Sequence, residues 1–85
     1  MRFDEVKAIF AERPFTPVRV YFTRGDPLDV RHPEQVIVMK WMFIYAVSRK
    51  DGRLERTGYQ SLMHVVRIVP LSALRRRKKR KQRSA

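Results

Sequence analysis

Residues 41–52, with the sequence WMFIYAVSRKDG, decide the fold of this chain. The first seven of them are apolar, and most are aromatic or β-branched, which favours a β-strand. Alternate side chains of a strand point to opposite faces, so residues 41, 43, 45 and 47 share one apolar face and residues 42, 44 and 46 share the other. The pair Asp51-Gly52 favours a tight hairpin turn, because both central residues of such a turn adopt positive φ. The segment predicts a strand that turns back and needs cover on both faces.

The sequence on either side predicts further short strands. Apolar and polar side chains alternate in residues 18–23 and 28–32, and Gly25 separates the two runs. Pro33 ends the second run, because proline cannot donate a hydrogen bond to a sheet. Beyond the hairpin turn, residues 54–63 predict the return strand and residues 66–69 a last short strand.

The first residues predict a short amphipathic helix. Phe3, Val6, Ile9 and Phe10 recur at helical spacing, so they form one apolar face. Pro14 ends this helix, because the residue before a proline avoids helical backbone angles. The helix is expected to cover one side or end of the sheet.

The complete pattern is typical of a mainly β protein. We expect a small, strongly bent, five-stranded antiparallel barrel with an N-terminal α-helix. Residues 1–74 form this single domain, and residues 75–85 form a basic tail that we expect to be disordered until it binds a partner. One apolar face of residues 41–47 enters the small core, and the other needs the helix or another protomer.

Net charge is the strongest functional signal. The chain has 20 Lys and Arg against 8 Asp and Glu, a net charge of +12, and residues 75–83 carry eight of the cations without an acid. Such a block is typical of a tail that binds a polyanion, although a solubilising tail or a ribosome-contact tail would have the same composition. We predict a non-catalytic nucleic-acid-binding protein, with RNA favoured over DNA, that contacts backbone phosphates. The predicted contacts in the tail are Arg75, Arg76, Arg77, Lys78, Lys79, Arg80, Lys81 and Arg83.

A second group of cations surrounds the hairpin turn. Its members are Arg49, Lys50, Arg53 and Arg56. A cationic hairpin tip can grip phosphates, and Tyr21 or Tyr59 is a candidate for stacking on a base. The alternative is an ordinary solvated hairpin with ordinary core tyrosines.

The composition argues against several other classes of protein. The chain has no cysteine, which excludes disulfides, thiolate zinc sites and cysteine nucleophiles. His32 and His64 are far apart, the serines lack a nucleophile motif, and the three glycines are not clustered. We therefore expect no enzymatic activity, cofactor or metal. No apolar run approaches the ~20 residues that cross a bilayer, the tail lacks interleaved aromatic residues, and the acidic start lacks a signal-peptide core, so we expect a cytoplasmic protein without a membrane partner.

Four short motifs resemble those of a group of small bacterial proteins. In this chain they are Pro14-Phe15-Thr16-Pro17-Val18, Gly25, Val30-Arg31-His32-Pro33-Glu34 and Val66-Arg67-Ile68. They extend over most of the chain up to Pro70. This resemblance implies no particular function.

A weaker similarity is to the Sm-like proteins, which include the bacterial Sm-like RNA chaperone. The residues that carry it are Tyr21, Gly25, Leu28, Gln35, Val36 and Ile37 for the first motif, and Tyr59, His64 and residues 66–70 for the second. The resemblance implies an N-terminal helix on a bent, SH3-type barrel. It also implies rings in which protomers pair through their edge strands.

The apolar strand supports an alternative hypothesis, a protein-interaction or assembly module. In that hypothesis Trp41, Met42 and Ile44, or an edge strand, dock a partner protein or another protomer. The tail then only localises the protein or keeps it soluble. A homo-oligomer is compatible with both hypotheses.

Overall fold

The computed structural model describes residues 1–48 and 51–74. The elements are α1 (Phe3–Ala11), β1 (Val18–Phe22), β2 (Leu28–Val30), β3 (Val36–Val38), β4 (Met42–Ser48), β5 (Leu54–Ser61) and β6 (Val65–Pro70). Short 3-10 turns, Pro33–Gln35 and Leu62–His64, precede β3 and β6. The predictions for Arg49, Lys50 and residues 75–85 lie outside the described residues.

The strands form two antiparallel sheets of three strands each. The first sheet has the order β2-β1-β6, and Val18 in its middle strand pairs with both Val30 and Pro70. The second sheet has the order β3-β4-β5. The mainly β fold with an N-terminal helix is therefore confirmed. Within the described ranges, no strand pairing joins the two sheets into a closed barrel.

The strand count is six where the sequence predicted five. The additional strand is β3, an apolar run that lies just before the predicted strand of residues 41–47. The backbone nitrogen of Met39 donates a hydrogen bond to the carbonyl of Met42 at 2.8 Å, and this contact closes a tight turn between β3 and β4. Trp41 lies in this turn, before β4 begins, and is 72% exposed.

One core lies between the inward faces of the two sheets and helix α1. On β1, Val18, Val20 and Phe22 are buried, as the alternating pattern predicted. Phe43 of β4 is completely buried, and its ring centroid lies 5.7 Å from that of Phe10 on the helix. The helix therefore packs on the core, and it does not cover the outward face of the second sheet.

The start of the chain is held against the turn before β6. The amino nitrogen of Met1 donates hydrogen bonds to the carbonyls of Leu62 at 2.9 Å and Val65 at 2.6 Å. At the start of helix α1, the backbone nitrogen of Arg2 donates to the Glu5 carboxylate at 3.2 Å. These contacts fix where helix α1 begins relative to the sheets. Among the residues described, no helix is long and apolar enough to cross a membrane.

Candidate nucleic-acid interface

The outward side of the first sheet carries arginines and a tyrosine. Arg19 and Tyr21 alternate with the buried residues of β1, so both point away from the core. Across the β1–β6 pairing, Tyr21 lies opposite Arg67. Arg31 follows β2 and is exposed. We call Arg19, Tyr21, Arg31 and Arg67 the cationic face.

One of these arginines is neutralised by an acid. Arg19 and Asp29 lie opposite each other on β1 and β2 and form a bidentate ion pair, with Nε–Oδ1 at 2.6 Å and Nη2–Oδ2 at 3.1 Å. The Arg19 hydrogen bond lowers the pKa of Asp29, and the charges of Arg19 and Arg31 lower this pKa further. Asp29 therefore remains ionised near neutral pH, and the net charge of the cationic face comes from Arg31 and Arg67.

The cationic face also contains a guanidinium–aromatic contact. The guanidinium carbon of Arg67 lies 4.4 Å from the centroid of the Tyr21 ring, within the range of a cation–π interaction. This places the predicted stacking residue Tyr21 beside a cation. The sequence did not make Arg67 a candidate, because Arg67 and Tyr21 are 46 positions apart and meet only through the pairing of β1 with β6.

The basic tail begins at one end of this sheet. The backbone nitrogen of Leu71 donates to the carbonyl of Pro17 at 3.0 Å, and residues 71–74 have a helical backbone. Arg31 and Ser72 line the same small surface pocket. The first tail cation, Arg75, therefore follows directly on a segment that lies beside Arg31.

The two described hairpin cations differ in their contacts. Arg56 donates from Nη1 to the carbonyl of Pro27 and from Nη2 to the carbonyl of Asp26, both at 2.9 Å. Its guanidinium also lies 5.4 Å from the Tyr45 ring centroid. Arg56 therefore holds the turn between β1 and β2, whereas Arg53 is exposed.

Tyr59 lies on a different surface from Tyr21. On the outward side of the second sheet, Ile37 pairs with Ile44 and Ile44 pairs with Tyr59, so the three residues form a row across the sheet. Ile37 is 60% exposed and Tyr59 is 71% exposed. We call Ile37, Met42, Ile44 and Tyr59 the apolar face. The structure therefore does not bring the two candidate stacking tyrosines together.

Trp41 belongs to neither face. It lines a groove at the end of the second sheet, together with Phe3 and Met63. Met63 is 85% exposed, and the Nζ atom of Lys40 lies 5.4 Å from the Trp41 ring centroid. Of the predicted protein interface, Met42 and Ile44 lie on the apolar face and Trp41 lies in this groove. Met63 was missed because an isolated methionine in a strand-like run gives no sign of its exposure.

The described part of the chain has no group of three or more His, Cys, Asp or Glu residues that could hold a metal ion. The backbone nitrogen of His32 donates to the Gln35 side chain at 2.9 Å, within the turn before β3. His64 is in the turn before β6, where its carbonyl accepts a hydrogen bond from the backbone nitrogen of Thr23 at 2.8 Å.

Comparison with known proteins gave no relatives: no protein-family model, no curated protein and no solved structure matches this chain. We therefore infer function from the charges, the exposed side chains and the geometry described above.

Proposed function

We propose that this protein is a non-catalytic nucleic-acid-binding protein that contacts backbone phosphates and prefers RNA to DNA. The observation that carries the proposal is the place where the described chain ends. Residues 71–74 lie beside Arg31, next to the sheet that carries Arg67, and the eight cations of residues 75–83 come directly after them in the sequence. A strand of nucleic acid that binds the tail would therefore meet further cations on the folded domain.

The Tyr21–Arg67 pair favours single-stranded over duplex nucleic acid, and RNA is the nucleic acid that proteins recognise mainly in single-stranded loops and ends. Single-stranded RNA exposes unstacked bases, and proteins bind such bases on aromatic rings and on guanidinium planes. The pair offers one of each on the cationic face, with the Arg67 guanidinium carbon 4.4 Å from the ring centroid. Duplex DNA offers no unstacked base to this surface, so only its phosphates would bind.

The strand order supports the Sm-like, SH3-type architecture as part of the proposal. If β2 and β3 are taken as two halves of one bent strand, the order β2-β1-β6 with β3-β4-β5 becomes a single series of five strands. β5 and β6 are then the two outer strands, and each has an edge without a partner among residues 1–48 and 51–74. Pairing of such edges between copies would form the homo-oligomer that the resemblance implies. We place this assembly in the cytoplasm.

Binding of a labelled single-stranded RNA, followed by fluorescence anisotropy over a salt series, tests the proposal. If all eight tail cations contact phosphates, the logarithm of the association constant falls with the logarithm of salt concentration with a slope of about −6. Replacing these eight residues by glutamine in the full chain removes most of this slope. Arg67→Gln reduces the slope by a further ~0.7.

Lys7→Gln provides the matched control for these variants. Lys7 is an exposed cation on α1 that lies over Phe3 and is not a member of the cationic face, so its loss is expected to leave the salt slope nearly unchanged. The proposal is wrong if the full chain binds with no salt dependence. It is also wrong if the glutamine tail binds RNA as tightly as the natural one.

The apolar face supports a second candidate function, docking of a partner protein or another protomer. Isolated apolar residues are common on protein surfaces, but here Ile37, Ile44 and Tyr59 form a continuous row. Sedimentation velocity of the full chain and of Ile37→Glu tests this function. A complex or oligomer that the substitution dissociates supports it, and a monomer with no partner contradicts it.

A further inference from the structure

A largely apolar groove lies beside Trp41, at the end of the second sheet. Its lining includes Met1, Phe3, Trp41, Leu62 and Met63, and its volume is about 540 Å³. That volume accommodates one or two bulky side chains, and it falls within the range of small-ligand sites. Trp41 is 72% exposed and Met63 is 85% exposed, so both side chains are accessible at the groove.

Backbone hydrogen bonds hold the lining of the groove in place. The backbone nitrogen of Leu62 donates to the carbonyl of Trp41 at 3.0 Å, and the Met1 amino nitrogen donates to the carbonyl of Leu62 at 2.9 Å. The contact between Met39 and Met42 closes the turn that contains Trp41. The three segments that line the groove are therefore joined to one another before any ligand binds. Such a site loses little backbone entropy on binding.

The charges around the groove favour an acidic ligand. Lys40 lies over the Trp41 ring, and no carboxylate of the described residues lies within ion-pair distance of its Nζ atom. Arg2 and Asp4 also line the groove and pair with each other at 2.9 Å, so their charges offset, and the amino group of Met1 adds a further cation to the lining. The net charge of +12 attracts acidic partners over a longer range.

We propose that this groove binds a peptide segment of a partner protein in which a bulky apolar side chain is flanked by acidic residues. The apolar side chain packs between Trp41 and Met63, and an acidic neighbour pairs with Lys40. Tryptophan is enriched among the residues that dominate binding energy at protein interfaces, and methionine adapts to varied apolar shapes. This inference does not depend on nucleic-acid binding.

An RNA base and a second copy of the chain fit the groove less well. The side chains of Phe3, Leu62 and Met63 offer the polar edges of a base no strong hydrogen-bond partner, and polar groups that are buried unpaired are costly. A second copy would bring a further net charge of +12 to a groove where Lys40 has no ion-pair partner among residues 1–48 and 51–74. In an acidic peptide with a bulky apolar side chain, the apolar side chain fits the apolar lining and the acidic residues fit the charge of Lys40.

The fluorescence of Trp41 provides a local assay, because it is the only tryptophan in the chain. The probe is the acetylated and amidated hexapeptide with the sequence DDLFDD, titrated into the full-length protein. Two control peptides, DDGGDD and KKLFKK, remove the apolar side chains or reverse the charge. We expect a saturable blue shift of the emission with the probe, and at least tenfold weaker binding of either control. DDGGDD also accounts for non-specific attraction of acidic peptides to the basic tail.

Substitutions at the exposed Met63 locate the binding site. Met63→Glu is expected to weaken probe binding at least tenfold, whereas Met63→Leu leaves it within about twofold. Tyr59→Glu introduces the same charge at an exposed position of the apolar face and is expected to have no effect. Circular dichroism of each variant establishes that the fold is retained.

Three results would overturn the proposal. The first is an unchanged Trp41 emission with all three peptides, and the second is an equal response to DDLFDD and DDGGDD. The third is saturable quenching of the Trp41 fluorescence by a uridine hexanucleotide, if Met63→Glu abolishes the quenching. That result would assign the groove to nucleic acid. Loss of the RNA salt slope, in contrast, bears only on the function proposed for the tail and the cationic face.

Discussion

Replacing Gly58 by alanine tests how tightly the second sheet packs on the core. Gly58 in β5 pairs directly with Tyr45 in β4. A Cβ atom at position 58 would lie 2.7 Å from the Tyr45 hydroxyl oxygen and 3.0 Å from Cζ, closer than ordinary van der Waals contact. The Tyr45 ring is buried between Phe22 at 5.9 Å and Phe43 at 6.1 Å, measured between ring centroids, so it has little room to move.

Two opposing effects decide the magnitude. Overpacking a well-filled core costs about 1–3 kcal/mol. Alanine also removes the conformational penalty of glycine in a strand, a gain of about 0.5–1 kcal/mol. At the middle of both ranges the clash is the larger effect, so Gly58→Ala is expected to lower the free energy of unfolding by about 1 kcal/mol.

Urea unfolding of Gly58→Ala, Tyr45→Phe and the double variant measures the coupling between the two positions. Tyr45→Phe removes the hydroxyl oxygen and leaves Cζ, so part of the clash is relieved. We expect the double variant to lose less unfolding free energy than the two single variants lose in sum, by at least ~0.5 kcal/mol. Gly52→Ala serves as the control. Its φ of +86° strains an alanine, but an added Cβ atom at this position meets no other atom within 4 Å. Tyr45→Phe therefore does not relieve the destabilisation caused by Gly52→Ala. A stable Gly58→Ala, or additive effects, would refute the packing argument.

Two further predictions concern arginine contacts. Arg19 makes the pKa of Asp29 lower in the folded protein than in the unfolded chain. The ion pair therefore stabilises the fold fully at a pH above the pKa of Asp29 in the unfolded chain. This stabilisation is lost as the pH falls through the pKa of Asp29 in the folded protein. The stability difference between wild type and Asp29→Asn in urea should therefore shrink below about pH 4, and a constant difference would contradict this prediction. Arg56→Ala removes two hydrogen bonds to the β1–β2 turn and should cost about 1 kcal/mol in the same assay. A large loss of RNA affinity with unchanged stability would instead make Arg56 a phosphate contact.

The local pattern of the sequence predicted the elements whose faces differ in polarity. Residues 18–22 and 28–30 alternate between buried and half-buried, because one side of each strand faces the core. The helix was predicted from Val6 and Phe10, which are both buried. The division of residues 36–47 into two strands was not predicted, since the turn between them contains neither glycine nor proline. Lys40 was the only polar residue in that stretch, and it lies in the turn.

The sites were predicted less completely, because they depend on contacts between distant segments. Arg67 lies beside Tyr21 only through the pairing of the first and last strands. Arg56 belongs to the hairpin in sequence, but its side chain reaches the carbonyls of Asp26 and Pro27. Charge and residue type identified which side chains had binding potential. Strand pairing decided which of them share a surface.

The two sheets place different chemistry on opposite sides of one core. Outward positions of the first sheet carry Arg19, Tyr21 and Arg67, whereas the corresponding positions of the second sheet carry Ile37, Ile44 and Tyr59. An arginine that is buried against an apolar partner surface loses its hydration and gains no hydrogen bond in return. A row of isoleucines has no cation or hydrogen-bond donor that could bind a phosphate. The two proposed functions therefore call for ligands of different chemistry on the two surfaces. Because the inward faces of both sheets share the core, RNA on the cationic face and a protein on the second sheet would bind without competing for the same surface.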